Sequence, residues 1–276
     1  MSVRVTSDPK DFQATTFSFL EADPVLHTVI LGNVAERAAG GRSAESEPSY
    51  FVSVHDDAGA VIGAAMRTPG RPVHLGALRA DLAGEIAEAF AELVPEVGGV
   101  AGDRAAVRAF GERWAELREV TGVESRGSRL HKLEALVALT APGNPRPMRE
   151  DDVQLAAEWV SDGFRGEFAT IDLAWAEHHL ERGTLWIWED GGEPVSMAGS
   201  HLPLFGVSRV GPVYTPPEHR RHGYAGALTG EVTAKILAKG NQACLYTDLA
   251  NRTSNKIYAQ LGYVPVADFV DLIFVP

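Results

Sequence analysis

The sequence predicts an α/β fold in two tandem copies, residues 1–140 and 146–276, on three observations. Residues 51–69 read as strand, Asp-Gly turn, strand, and residues 185–203 repeat that pattern around the turn at Asp190 to Gly192. Each copy also opens with a short strand followed by a helical stretch: residues 3–5 before 9–38, and residues 146–148 before 151–163. Between the copies, Pro142, Gly143, Pro145 and Pro147 mark residues 141–147 as a linker. The third observation is a strand that meets a small-residue turn and then a helix, at residues 213–225.

Composition bounds the function classes. With 276 residues, 45% of them hydrophobic, the chain is long enough for two domains with cores of their own. The net charge of -12 is spread evenly, with 14 basic and 20 acidic residues in 1–140 against 11 and 17 in 141–276. No basic face for nucleic acid is therefore expected. Cys244 is the only cysteine, which excludes an intrachain disulfide and a thiolate-rich zinc site and suits a reducing, cytoplasmic setting. Residues 1–10 lack the apolar core of a signal peptide, and residues 25–34, broken by His27 and Asn33, are too short to span a bilayer. No membrane partner is expected.

In the first copy, residues 81–93 and 104–119 carry amphipathic helix patterns, and residues 131–139 read as a closing strand. This copy has no small-residue turn leading into a helix after its hairpin. Its nearest approach, Arg37, Gly40 and Arg42, comes before the hairpin and ends in a bulky residue. The first copy is therefore read as structural, with the alternative that it shapes one wall of the second copy's site.

The turn in the second copy has a different character. Gly223 and Ala225 leave no bulk where a backbone would approach phosphate oxygens, and the first amides of the next helix have no intrahelical acceptors. Such donors suit an anion. The helix itself is read from Ala225, Leu228, Val232 and Ile236, with Lys235 and Lys239 at its negative pole and Gly240 as its stop.

With Arg220-x-x-Gly223-x-Ala225 between strand and helix, residues 146–276 resemble the GNAT superfamily of acyl-CoA-dependent N-acyltransferases. A second stretch, residues 248–263, is similar to that family's closing strand, helix and Gly-aromatic turn. The resemblance implies two GNAT-like domains, the N-terminal one degenerate, each an α+β arrangement with a mixed, mostly antiparallel sheet flanked by helices. Acetyl-CoA is the implied cofactor. Val213, Tyr214 and Thr215 would hold the pantetheine arm, and the amides of Arg221, His222, Gly223, Tyr224 and Ala225 the pyrophosphate, with charge from Arg220 and Arg221. The plainer alternative for the Arg-Arg-His run is a solvated basic turn.

Asn251, Ser254, Asn255 and Tyr258 fall on one helical stripe that could face the cofactor. By the same resemblance, Tyr258 is the general acid for the departing thiolate; otherwise it is a half-buried tyrosine whose hydroxyl anchors its helix. Asn251 could equally cap that helix. The implied reaction is direct attack of a primary amine, a small molecule or an N-terminus, on the thioester. Cys244, in an apolar run, is expected in the core rather than as an acyl carrier. An alkylammonium is about one part in a thousand neutral near pH 7.4, a deficit of roughly 4 kcal/mol. Asp248 is the candidate base, with a loop or capping role as the alternative.

Adjacent His178 and His179 point about 100° apart on a helix, so an exposed face is preferred to a metal site. Phe164, Trp175, Trp186 and Trp188 are candidates for the acceptor pocket or for plain core. A non-catalytic acyl-CoA sensor is the second functional reading, motivated by the degenerate first copy. A monomer or homodimer suits either.

Overall fold

The computed structural model describes residues 1–40, 47–94, 96–163 and 171–276, so Arg42 and Phe164 lie outside the described residues. Two compact units divide the chain, and neither is a single stretch: Met1–Leu130, Thr247–Asn251 and Pro265–Pro276 form the first, His131–Tyr246 and Arg252–Val264 the second.

The first unit begins with β1 (Ser2–Thr6), α1 (Pro9–Leu20) and α2 (Thr28–Ala38). Sequence periodicity suggests one helix over residues 9–38, but the structure breaks it. Pro24 has no amide to donate and disfavours helical geometry at Asp23, whose carboxylate instead accepts from Leu26 N at 3.0 Å. Asp8 caps α1 through Lys10 N at 2.8 Å, with Pro9 at the first helical position. There follow β2 (Tyr50–His55), β3 (Val61–Arg67), β4 (Val73–Gly76), α3 (Ala83–Leu93), β5 (Gly99–Asp103), α4 (Arg104–Arg118) and β6 (Thr121–Leu133, as far as Leu130). Strands β1 to β4 pair antiparallel in sequence order, and β4 pairs parallel with β5.

The end of the chain completes this sheet. Strand β12 (Tyr263–Val275) lies antiparallel on β5 from Phe269 to Ile273, and its Leu272 and Phe274 pack against the cluster of Ile86, Phe90, Phe110 and Trp114. The closing strand expected at residues 131–139 starts ten residues earlier, at Thr121, and ends at Leu133. Its first half is polar and exposed, so no hydrophobic alternation advertises it.

The second unit holds β7 (Asn144–Pro147), α5 (Val153–Gly163), α6 (Leu173–Arg182), β8 (Leu185–Asp190), β9 (Glu193–Ser200), β10 (Val207–Tyr214), α7 (Tyr224–Ala238), β11 (Gln242–Asp248, as far as Tyr246) and α8 (Arg252–Leu261). Here β7 to β10 pair antiparallel in order and β10 pairs parallel with β11, the same pattern that β1 to β5 make. The repeat read from the two hairpins is thus a repeat of topology. Part of the expected linker is strand: Pro145 and Pro147 face Trp188 and Trp186 across the β7–β8 ladder. Proline is tolerated there because β7 is an edge strand and needs few amide donors. Arg146 fixes that edge, reaching Asp152 at 2.9 Å and Glu189 at 2.7 Å. Helix α7 packs through Ala227, Leu228, Val232 and Ile236 with Val195, Val210 and Leu245, while α5 and α6 pack on Met148, Ile187 and Met197.

Beyond β6, residues 134–142 run as irregular chain held by Glu134 N on Gly262 O at 3.0 Å and Val137 N on Leu261 O at 3.0 Å. Gly262 permits this approach. Its φ is +94°, and a Cβ there would lie 1.8 Å from Ala135 O.

Candidate functional site

In the second unit the parallel ladder between β10 and β11 stops short. It runs from Val207↔Gln242 to Val210↔Leu245, whereas β10 continues to Tyr214 on its other neighbour, β9, after a register shift between Val210 and Val213. The Ser196 side chain, fully buried on β9, holds that end: its hydroxyl donates to Tyr214 O at 3.0 Å and meets the Thr215 hydroxyl at 2.8 Å. Val213, Tyr214 and Thr215 therefore belong to a strand end pinned toward β9 and not laddered to β11. In the first unit the corresponding strand stays paired with its parallel partner to its last residue, Gly76↔Gly102.

After Thr215 the chain makes a 3-10 turn at Pro217–His219 and folds back so that Arg220 Nε donates to Thr215 O at 3.0 Å. Arg220 thereby ties the loop to the strand, a role the sequence reading did not give it. Arg221 takes a left-handed conformation with φ +70° and Gly223 one with φ +88°, which turns the chain into α7. The first intrahelical bond is Ala227 N to Gly223 O at 3.0 Å. Gly223 supplies no side-chain cap and the first turn contains no acidic residue, so the amides just inside the helix point outward at a positive pole. Arg221, His222 and Gly223 are exposed, with His222 stacked on Tyr224 at 5.4 Å and bonded to His219 O at 3.2 Å. The Tyr224 ring is buried and its hydroxyl donates to Asp190 at 2.5 Å, leaving only its amide for a ligand; Ala225 likewise offers its amide.

The matching helix of the first unit is built differently. Glu85 lies in the first turn of α3 and Asp81 in the 3-10 turn before it. Negative charge there opposes an anion.

Tyr258, on α8, is 9% exposed and packs edge-on against Tyr263 at 6.2 Å. Among the described residues its hydroxyl has no hydrogen-bond partner, and burial alone pushes its pKa up to about 12. The anchoring role that would explain a half-buried tyrosine is therefore not what this hydroxyl does. Ser254 and Asn255 sit half-buried on the same helix, while Asn251 is exposed ahead of it, its amide on Asp248 O at 3.0 Å. Asp248 groups with the first unit: its carboxylate accepts from Ala250 N at 2.7 Å and lies 4.0 Å from Arg126. It closes its own turn.

Cys244 is completely buried in β11. His179 is not on an exposed face, as the sequence suggested, but buried against Thr184, with Nδ1 to Oγ1 at 2.7 Å. No cluster of three potential metal ligands occurs among the described residues. Trp188 is core, its Nε1 donating to Pro142 O at 2.6 Å; Trp175 and Trp186 are partly buried packing residues. No helix among the described residues is long and apolar enough to cross a membrane.

The profile of the FR47-like protein family matches residues 189–268. A GNAT-family acetyltransferase from Colwellia psychrerythraea superposes with TM-score 0.64 at 12% identity, over 100% of each chain. A GCN5-related N-acetyltransferase from Sphaerobacter thermophilus gives 0.62 at 15% identity, over 98% of this chain and 94% of that one. A tandem GNAT protein from the clavulanic acid biosynthesis pathway gives 0.58 at 11% identity, over 99% and 98%. The fold is a tandem GNAT fold. No curated protein matches the chain.

Several residues of this GNAT-fold site escaped the sequence reading. Ser196 and Asp190 act across strands, and nothing local in the sequence marks them. The Tyr214 hydroxyl donates to Asp162 at the end of α5, and burial with that bond pushes the tyrosine up to about 12. Thr140 and Ala141 stand beside Gly223: a Cβ on the glycine would come 3.5 Å from Thr140 O and 3.6 Å from Ala141 Cβ.

Proposed function

We propose that the second unit transfers an acetyl group from acetyl-CoA to a primary amine by direct attack, without an acyl-enzyme. The observation that carries this is the pairing of a strand end left off its parallel neighbour with an uncapped, acid-free helix N-terminus one loop further on. The first offers backbone groups of Val213, Tyr214 and Thr215 to an amide-bearing arm such as pantetheine. The second offers the amides from Arg221 to Ala225, with the Arg221 charge, to a pyrophosphate. The fit extends to polarity, since no carboxylate occupies the first turn of α7. Ser254 and Asn255 are kept as cofactor contacts from α8; Asn251 is kept through its position before that helix.

Acetyl-CoA, when bound, supplies an activated acyl group and a thiolate leaving group. Tyr258 is the residue proposed to meet that thiolate. Its hydroxyl holds its proton well above neutral pH and is bound to nothing else among the described residues. Relative to a thiol of pKa about 8.5, complete proton transfer from a phenol near 12 is uphill by about 5 kcal/mol. Tyr258 therefore acts as a hydrogen-bond donor to developing negative charge rather than as a strong acid. Cys244 is out of reach of substrate, which favours direct attack over a thioester relay. Asp248 is not carried into this mechanism, because its carboxylate is committed to Ala250 N.

The acceptor is a neutral amine, a small molecule or a peptide N-terminus. The deciding experiment follows CoA release from acetyl-CoA across a panel of amines. Amine-dependent release supports transfer; saturable CoA binding with no release on any amine supports the sensor reading instead.

A further inference from the structure

Ser196 lies in a run of six buried residues on β9, Val195 to Ser200, where a hydroxyl costs free energy unless it is bonded. It is bonded twice, and both partners belong to the end of β10. Because its one proton goes to Tyr214 O, the Thr215 hydroxyl is the donor in the second bond. The β9–β10 ladder ends at Tyr214↔Met197, and Thr215 opposite Ser196 would be its next rung. A side chain therefore takes over where backbone pairing stops. Successive residues of an extended strand turn their N–H and C=O groups to opposite neighbours. With the Tyr214 carbonyl turned to β9, the backbone groups of Val213 face the flank left open where the β10–β11 ladder ends.

The first unit carries the same hairpin without the hydroxyl. There Val54↔Gly63 precedes a register shift to His55↔Val61, just as Trp188↔Ser196 precedes one to Glu189↔Pro194. Gly63 thus stands where Ser196 stands. A Cβ on it would lie 2.8 Å from Leu78 Cδ1 and 2.9 Å from Leu82 Cδ1, so two leucines hold the space that a serine side chain needs. With no hydroxyl to draw it across, β4 stays on its parallel partner β5 as far as Gly76↔Gly102.

We propose that Ser196 is the positioning residue that holds the end of β10 open before acetyl-CoA arrives, so that the pantetheine arm meets free backbone groups at Val213 without first separating two strands. This rests on the acetyl-CoA reading of the second unit. A ligand's apparent affinity falls with the fraction of molecules whose site is already open, and a preformed slot keeps that fraction high. Ser196 is itself inaccessible and acts only through Tyr214 and Thr215, so its loss affects KM for acetyl-CoA and not kcat. The exchange of a serine for a glycine at one strand position then accounts for the open strand end in one copy and the closed one in the other.

Two probes separate the strand from the loop: CoA, titrated by calorimetry, and ADP, which has the diphosphate without the pantetheine arm, followed by ligand-observed NMR. Both are added to the full chain, to Ser196→Ala and to Ile236→Val, the last removing one buried methylene near the far end of α7 to report the effect of lost stability alone. Ser196→Ala is expected to weaken CoA at least about fivefold and ADP less than about twofold, and to raise KM for acetyl-CoA with kcat within about twofold. Ile236→Val is expected to melt earlier and to bind CoA as the wild type does. Wild-type CoA affinity in Ser196→Ala overturns the role given to Ser196 and leaves the acetyl-CoA reading standing. Equal weakening of CoA and ADP also overturns it, because the substitution would then act on the whole site. Absence of CoA binding by the wild type overturns both readings. Should Ser196→Ala fail to fold, Thr215→Val removes the other hydroxyl of the pair, and the same comparison of CoA with ADP decides.

Discussion

Replacing Tyr258 with phenylalanine separates chemistry from stability, because the two roles this tyrosine could play make opposite demands. Were its hydroxyl anchoring α8, Tyr258→Phe would lose a hydrogen bond worth about 1 kcal/mol. In the structure the side chain is buried and its hydroxyl is, among the described residues, unpartnered, so removing it forfeits no hydrogen bond within the protein. The variant is expected to unfold at the same or higher denaturant concentration than the wild type. Turnover is expected to fall, by about 10²-fold if the hydroxyl is the main donor to the leaving thiolate, with KM for acetyl-CoA little changed. Alkaline pH gives an independent check on burial. A folded pKa of about 12 against about 10 unfolded means the native state keeps a proton that the unfolded chain loses. Stability is therefore full below pH 10 and declines as pH rises from 10 to 12, and that decline should be shallower in the variant. Equilibrium unfolding in urea at pH 8 and pH 11, together with a thiol-release assay, measures all of this. A variant destabilised by more than 1 kcal/mol with unaltered turnover would refute the reasoning outright.

Three further outcomes test the site. Gly223→Asp and Gly223→Asn meet the same backbone strain at φ +88°, but only Asp adds charge at the amides; CoA should bind at least tenfold more weakly to Asp than to Asn by calorimetry. Gly262→Ala combines φ +94° with a Cβ 1.8 Å from Ala135 O, so it should lose soluble expression or at least 3 kcal/mol in urea, whereas Gly240→Ala, equally left-handed but with open space around it, should cost about 1 kcal/mol. Asp248→Asn keeps an oxygen for Ala250 N but cannot take a proton; kcat within twofold of wild type and an unshifted pH profile are expected, and a loss of tenfold or more with loss of the acidic limb would make Asp248 a base after all.

How far the sequence reached is clearest at residues 213–225. The strand, the glycine, the small residue two places on and the amphipathic helix are local features, and local features survive into the fold: Gly223 is left-handed and α7 begins at Tyr224. The bond from Arg220 to Thr215 O is not legible in the sequence, because it depends on how the loop doubles back. The single helix expected at residues 9–38 failed where Pro24 interrupts a run whose apolar spacing continues on both sides. His179 reads as surface beside His178 and Glu177, and only packing against Thr184 buries it.

What the sequence determined alone was the repeat and the small-residue turn into α7, because turn chemistry and periodicity act over a few residues. Tertiary structure decided the rest. Only three-dimensional pairing ends the β10–β11 ladder at Val210, leaves the Tyr258 hydroxyl without a partner among the described residues, and returns Pro265–Pro276 to the sheet of the first unit. Each is a relation between segments far apart in the chain. Leu272 and Phe274 are ordinary strand residues until the core holding Phe110 and Trp114 gives them somewhere to be buried.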